Sequence, residues 1–242
     1  KMNLQLPKGY KRAVLVFDGA MSQPVVSVNG KEAGRWAYGY NAFRIDITPY
    51  VHFGGKKNLV EVHLNNVEES SRWYPGGGLY RPVSVELYGN ENFSTWDTFV
   101  RTLKADKQEA EVEVNALLEG KIGKSGKTVI ALLDEAGTKV AEQTISGATP
   151  AIKTTLKVAN PQLWSPESPY LYQVKLTRYE GKKVADVQTL KTGIRTISVS
   201  KNNGFLLNGI TRKIKGVCLH HDLGPLGAAE NKAALIRQIK TM

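Results

Sequence analysis

Up to about residue 200 the chain repeats one device. A short stretch of alternating apolar and polar residues is followed by a break made of Gly, Asn or Pro. Alternation with a period of two places successive side chains on opposite faces of a strand, so the pattern commits the chain to half-buried β-strands. VEVHL at 60–64 puts Val60, Val62 and Leu64 on one face, with Glu61 and His63 on the other. VSVEL at 83–87 repeats this with Val83, Val85 and Leu87. VVSVNGKEAGR at 25–35 predicts a hairpin, because Asn29-Gly30 suits the positive φ angles of a tight turn. Pro49 closes the strand FRIDIT, since proline has no N–H to give a ladder. Short strands with such frequent punctuation predict a sandwich or jelly roll.

The pattern is interrupted at GNENF, near residue 90, and a second set of strands begins. Val112, Val114, Ala116 and Leu118 alternate with Glu111, Glu113 and Asn115. TVIALLDEAGTKVAEQ, AIKTTLKVA and YLYQVKLTRYEGKKVADVQTL follow, with turns at DEAG and YEGK. This set predicts an immunoglobulin-like sandwich. Only Cys218 is present, so no internal disulfide and no cysteine-rich metal site can form. A third segment begins near residue 199. GFLLNGITRKIKGVCLHHD carries a second Asn-Gly turn at Asn208-Gly209, and AAENKAALIRQIKTM switches to helical spacing. Leu235, Ile236, Ile239 and Met242 share its apolar stripe. Strand, loop and helix in that order predict the first unit of a β/α arrangement.

Several function classes are set aside. No apolar run approaches the ~18 residues of a membrane span. The start, KMNLQLPKGYKRAVLVF, has no signal-peptide pattern and reads as mid-domain. The net charge is +11, but lysines such as Lys56, Lys104, Lys124 and Lys182 are dispersed among turns and strand edges. That favours solvated faces over a nucleic-acid stripe. Neither a nucleic-acid nor a membrane partner is expected. There is no G-x-S-x-G, no phosphate loop and no dinucleotide fingerprint.

Two stretches carry candidate chemistry. In SRWYPGGGLYRPVSV at 71–85, Arg72, Trp73 and Tyr74 offer stacking faces and donors, and Gly76–Gly78 permits close backbone approach. The pattern alone favours a cap on the sandwich core over a sugar grip. His220-His221-Asp222 sits between strand and helix, where imidazoles can bond a sugar hydroxyl, hold a metal or move protons. A loop histidine pair bonded to backbone explains it equally well. Adjacent histidines on an extended segment point to opposite sides, which argues against a metal. Trp164, set among Pro161, Pro166 and Pro169 in NPQLWSPESPYLY, reads as structural.

Together SRWYPGGGLYRPVSVEL, NPQLWSPESPYLY, TGIRTISVS with GFLLNGITRKIKGVCLHHD, and VNGKEAGRWAYGYNAFRIDITPYV resemble glycoside hydrolase family 2, in the family's own order. The wording is most like that of bacterial β-galactosidases. The resemblance implies a mainly β chain in three parts. They are a partial jelly-roll sugar-binding domain at 1–90, an immunoglobulin-like β-sandwich at 91–198, and the first β/α unit of a truncated (β/α)8 barrel at 199–242. It implies a piece of a retaining exo-glycosidase, shortened at both ends, for terminal β-linked sugars. No residue here matches the family's two glutamates, so the chain alone is expected to be inactive. His220 matches the histidine that faces the sugar at the end of the first barrel strand. Arg72, Trp73 and Tyr74 match a jelly-roll loop that reaches the barrel mouth. The resemblance implies no cofactor in this stretch and allows a divalent metal in the full-length protein. A carbohydrate is the expected partner, and the exposed helix stripe implies self-association. The compartment is not written in the sequence; a periplasmic or secreted setting is expected for the full-length bacterial protein. The competing reading is a non-catalytic β-sandwich module that binds a glycan or a protein.

Overall fold

A computed structural model describes residues 1–67, 77–218 and 223–242. The chain divides into two compact units, Lys1–Tyr88 with Val217–Met242, and Gly89–Gly216. The described residues of the first unit form the strands β1 Met2–Gln5, β2 Arg12–Phe17, β3 Val25–Val28, β4 Lys31–Arg35, β5 Phe43–Asp46, β6 Lys57–His63 and β7 Val83–Tyr88. They form two antiparallel sheets, ordered β1-β6-β3-β4 and β5-β2-β7. Between them lies a core that includes Leu6, Leu15, Phe17, Val26, Val28, Phe43, Ile47 and Val60. The alternation explains which residues these are. Val26 and Val28 on β3 are fully buried, while Val25 and Ser27 face outward.

The β3–β4 hairpin turns at Asn29-Gly30, both left-handed at φ 51° and 79°. Asn29 is more than a turn former. Its Nδ2 donates to the Tyr50 carbonyl at 2.8 Å and its Oδ1 accepts from the Leu59 N–H at 2.9 Å. The buried Asn58 beside it accepts from the His52 N–H at 2.7 Å and donates back to the His52 carbonyl at 2.9 Å. A buried amide with its polar atoms paired costs little and fixes the loop it crosses. After β5 the chain passes into a 3-10 turn at Thr48–Tyr50, with Pro49 in its first turn.

The second unit contains β8 Glu91–Phe93, β9 Phe99–Ala105, β10 Glu109–Gly120, β11 Gly126–Leu133, β12 Lys139–Ser146, β13 Ala151–Ala159, β14 Tyr172–Glu180 and β15 Lys183–Thr192. One sheet runs β13-β10-β8, with β9 also paired to β10, and the facing sheet runs β12-β11-β14-β15. Phe93, Val112, Val114, Leu118, Ile130, Leu132, Leu156, Val174 and Leu176 fill the space between. This is the sandwich that the alternation on β10 predicts. A small sheet completes the unit: β16 Ile197–Ser200, β17 Gly204–Leu207 and β18 Ile210–Thr211, with its turn at Asn208-Gly209.

The end of the chain differs from the expectation in one respect. No strand forms across residues 213–218, where the sequence suggests one ahead of the helix. A strand needs a neighbour for its N–H and C=O groups, and no other strand among the described residues pairs with this stretch. The helix α1, Lys232–Thr241, does form. Asn231 caps it by accepting from the Ala234 N–H at 3.0 Å, and none of its residues is buried. It is too short to cross a membrane, and no described helix is long and apolar enough to do so.

Candidate functional site

Three strands of the first unit end at the same level. Val25, the first residue of β3, pairs with Arg35 at the end of β4 on one side and with His63 at the end of β6 on the other. Residues directly opposite one another on neighbouring strands share a face. The neighbouring Val26 is buried, so Val25, Arg35 and His63 share the solvent face. The chain just beyond each strand end adds to them. Trp36 donates its backbone N–H to the Pro24 carbonyl at 3.0 Å, and Asn65 donates its own to the Ser22 carbonyl at 2.9 Å. The result is a cleft of about 610 Å³ lined by Gln23, Val25, Arg35, Trp36, Ala37, His63 and Asn65.

Its aromatic wall is fixed from behind. Trp36 stacks on Phe43 with ring centroids 5.6 Å apart and planes within 9°. Phe43 stacks on Phe17 at 4.7 Å and 5°, a directly paired couple on β5 and β2. Both phenylalanines are fully buried, and Trp36 is 40% exposed. Trp36 Nε1 also reaches Asn41 Oδ1 at 3.3 Å. The Arg35 guanidinium is occupied by Glu32, with Nε and Nη2 each 2.9 Å from a carboxylate oxygen. Asn65 Nδ2 donates to Gln23 Oε1 at 3.0 Å, and Ser22 Oγ donates to the Asn65 carbonyl at 2.6 Å. These bonds hold Gln23 at φ 47°, a left-handed conformation that costs a side-chain-bearing residue about 1–2 kcal/mol. Among the described residues no carboxylate lines the cleft, and those that do line it can stack and hydrogen-bond.

The described residues Asn65 and Gly78 are both tied to the segment Met21–Gln23. Asn65 is tied to Ser22 and Gln23, and Gly78 exchanges two backbone bonds with Met21 at 3.0 and 3.1 Å. Tyr80 donates its hydroxyl to the Gly39 carbonyl at 2.8 Å, and burial pushes the Tyr80 phenol above its ordinary pKa. Arg72, Trp73 and Tyr74 themselves, and His220 with His221 and Asp222, lie outside the described residues. Trp164 serves packing: its backbone bonds Ile194 at 2.8 Å, Arg195 lies over its ring at 5.0 Å, and Asn208 Nδ2 donates to its carbonyl at 3.0 Å. Sequence reasoning did not single out Trp36, Gln23, His63 or Asn65. The signal nearest to them was the density of aromatic residues in RWAYGYNAF, directly after a hairpin.

Residues 93–195 match the sequence profile of glycosyl hydrolases family 2. A β-galactosidase of Bacteroides ovatus is 37% identical over 234 residues, which cover 93% of this chain and 27% of that protein. A β-glucuronidase of Bacteroides fragilis is 31% identical over 255 residues, covering 95% of this chain and 36% of that protein. The crystal structure of a glycosyl hydrolase family 2 member from Bacteroides cellulosilyticus superposes with a TM-score of 0.89 at 36% identity, covering 99% of this chain and 34% of that one. The chain therefore spans 27% to 36% of the length of these relatives. With two β-sandwich units, a profile match inside the second and similarity along nearly its whole length, the chain belongs to glycosyl hydrolases family 2.

Proposed function

We propose that the protein to which this chain contributes is a retaining exo-glycosidase that removes terminal β-linked sugars, with β-galactosides as its substrates. The observation that carries this is the 37% identity to a β-galactosidase along 93% of the chain. Retention requires two carboxylates about 5 Å apart, one as nucleophile and one as acid and then base. No residue of this chain matches that pair, so its part is to bind and to shape. His220 would hydrogen-bond the sugar, and Arg72, Trp73 and Tyr74 would line the mouth of the pocket. The similarity to a β-glucuronidase keeps a uronide as the second substrate to test.

The test is expression of the reading frame that contains this chain, followed by assay on 4-nitrophenyl β-galactoside and 4-nitrophenyl β-glucuronide. The account expects faster turnover of the galactoside, with the β-anomer of galactose as first product by proton NMR. First release of the α-anomer contradicts the retaining mechanism. Preference for the glucuronide contradicts the substrate. Replacing Trp73 with Ala is expected to raise KM about tenfold or more, on the scale of a lost aromatic contact.

A further inference from the structure

Asn-Gly occurs three times in the chain, at Asn29-Gly30, Asn203-Gly204 and Asn208-Gly209. Each step carries the same latent chemistry. Glycine has no Cβ to shield its nitrogen, so that nitrogen can attack the carboxamide carbon of the asparagine before it. The carboxamide must first swing free of whatever holds it and turn towards the next peptide. The dipeptide is the same at all three steps, and the structure separates them.

Two of the carboxamides are held at both ends. Asn29 Nδ2 donates to the Tyr50 carbonyl at 2.8 Å and to Asn58 Oδ1 at 3.0 Å, and Asn29 Oδ1 accepts from the Leu59 N–H at 2.9 Å. Asn208 Nδ2 donates to the Trp164 carbonyl at 3.0 Å, and Asn208 Oδ1 accepts from the Thr196 N–H at 3.0 Å. Asn203 differs. It is exposed in the turn between β16 and β17, where its backbone N–H donates to Ser200 Oγ at 3.1 Å. Its carboxamide has no hydrogen-bond partner among the described residues. The space around Gly204 is also open, for a Cβ there would meet nothing within 4 Å.

We propose that Asn203 is the site at which this protein is modified by spontaneous deamidation, while Asn29 and Asn208 are protected by the bonds that hold them. The Gly204 nitrogen forms a bond to Asn203 Cγ, and the Cγ–Nδ2 bond breaks. Nδ2 leaves as ammonia with the proton that Gly204 gives up, and a succinimide ring remains. Water then opens the ring. Opening between Cγ and the nitrogen leaves aspartate. Opening between the backbone carbonyl carbon and the nitrogen leaves isoaspartate, with the main chain running through Cγ. No oxidant or reductant is consumed. Either product places a carboxylate in the turn that holds Lys201. Isoaspartate also lengthens the main chain by one carbon just before Gly204, whose partner across the hairpin is Ser200, so it loosens that end of the β16–β17 ladder.

The folded 242-residue chain is kept in mildly alkaline buffer, sampled over time, digested with trypsin and read by tandem mass spectrometry. Asn203 and Asn208 fall in one tryptic peptide, residues 202–212, so fragment ions assign the converted position. Asn203 should convert about tenfold or more faster than Asn29 or Asn208, the scale of the hydrogen bonds that must open first. In concentrated urea, where those bonds are gone, the three rates should draw together. Asn203→Gln should remove the fast conversion, because the longer side chain closes a larger ring more slowly. Equal rates in the folded chain, earlier conversion at Asn29 or Asn208, or none at Asn203 overturns the proposal. A spread of rates that persists in urea overturns it as well, since flanking residues and not the fold would then set the order.

Discussion

Gly193 shows how closely a single position can be specified. A Cβ there would lie 2.7 Å from both Cβ and Cγ of Trp164, whose backbone is tied to the next residue, Ile194. Gly193→Ala must push the indole off its seat, and an overpacked site of this kind loses about 1–3 kcal/mol. Urea unfolding of the two proteins measures it, and an unchanged midpoint would contradict the packing described. Glu113 is a second such position. It is buried on β10, where Asn115 Nδ2 at 2.9 Å, Lys153 at 3.2 Å and Arg101 Nε at 2.8 Å hold its carboxylate. The hydrogen bond from Asn115 leads, and the two cations add to it, in bringing its pKa from an ordinary 4.5 to about 2. A carboxylate held below its unfolded value stabilises the fold at pH above 4.5, and that stability fades as pH falls towards 2. Glu113→Gln should therefore flatten the acid limb of the stability–pH curve over that window and nowhere else. Glu167, paired with Arg212 at 2.6 Å, is lowered to about 2 as well and adds to the same limb.

Among elements, β8 and β14 belong to opposite sheets of the second unit and are joined through its interior. Arg178 on β14 and Glu91 on β8 are each 1% exposed, with Nε 3.2 Å from Oε2. The guanidinium also donates to the carbonyls of Gly123 at 3.2 Å and Gly147 at 3.1 Å. A buried pair contributes little net stability when intact, but removing one partner strands the other charge and costs about 3–5 kcal/mol. Arg178→Met should show that loss in chemical denaturation, and Arg178→Met with Glu91→Gln should recover much of it. Equal loss in the single and double variants would contradict a coupled pair. Strands and turns were legible in the sequence because each is a local matter. Val112 to Leu118 alternate within one strand, and Asn29-Gly30 and Asn208-Gly209 mark their turns by backbone preference. The Arg178 pair and the Trp36 cleft were not legible. The cleft draws on residues 23, 25, 35–37, 63 and 65, which meet only because β3 pairs with both β4 and β6. The strand expected at 213–218 shows the converse, for its residues suit a strand and no strand among the described residues pairs with it.

At the scale of the whole chain, two features set its behaviour. Helix α1 buries none of its residues, and Ile236 and Ile239 are exposed on it. Apolar side chains grouped in this way favour association, so the mass from light scattering should rise with concentration and fall back in Ile236→Asp with Ile239→Asp. A constant monomer mass would contradict this. The second feature is the proposed division of labour, in which this chain binds and shapes while the carboxylate pair lies elsewhere in the whole protein. The most direct measurement is the release of nitrophenol from 4-nitrophenyl β-galactoside by the purified 242-residue chain, beside the protein from the whole reading frame. The account predicts that the chain stays at the rate of buffer while the whole protein turns over. Turnover by the chain alone, or none by the whole protein, would contradict it.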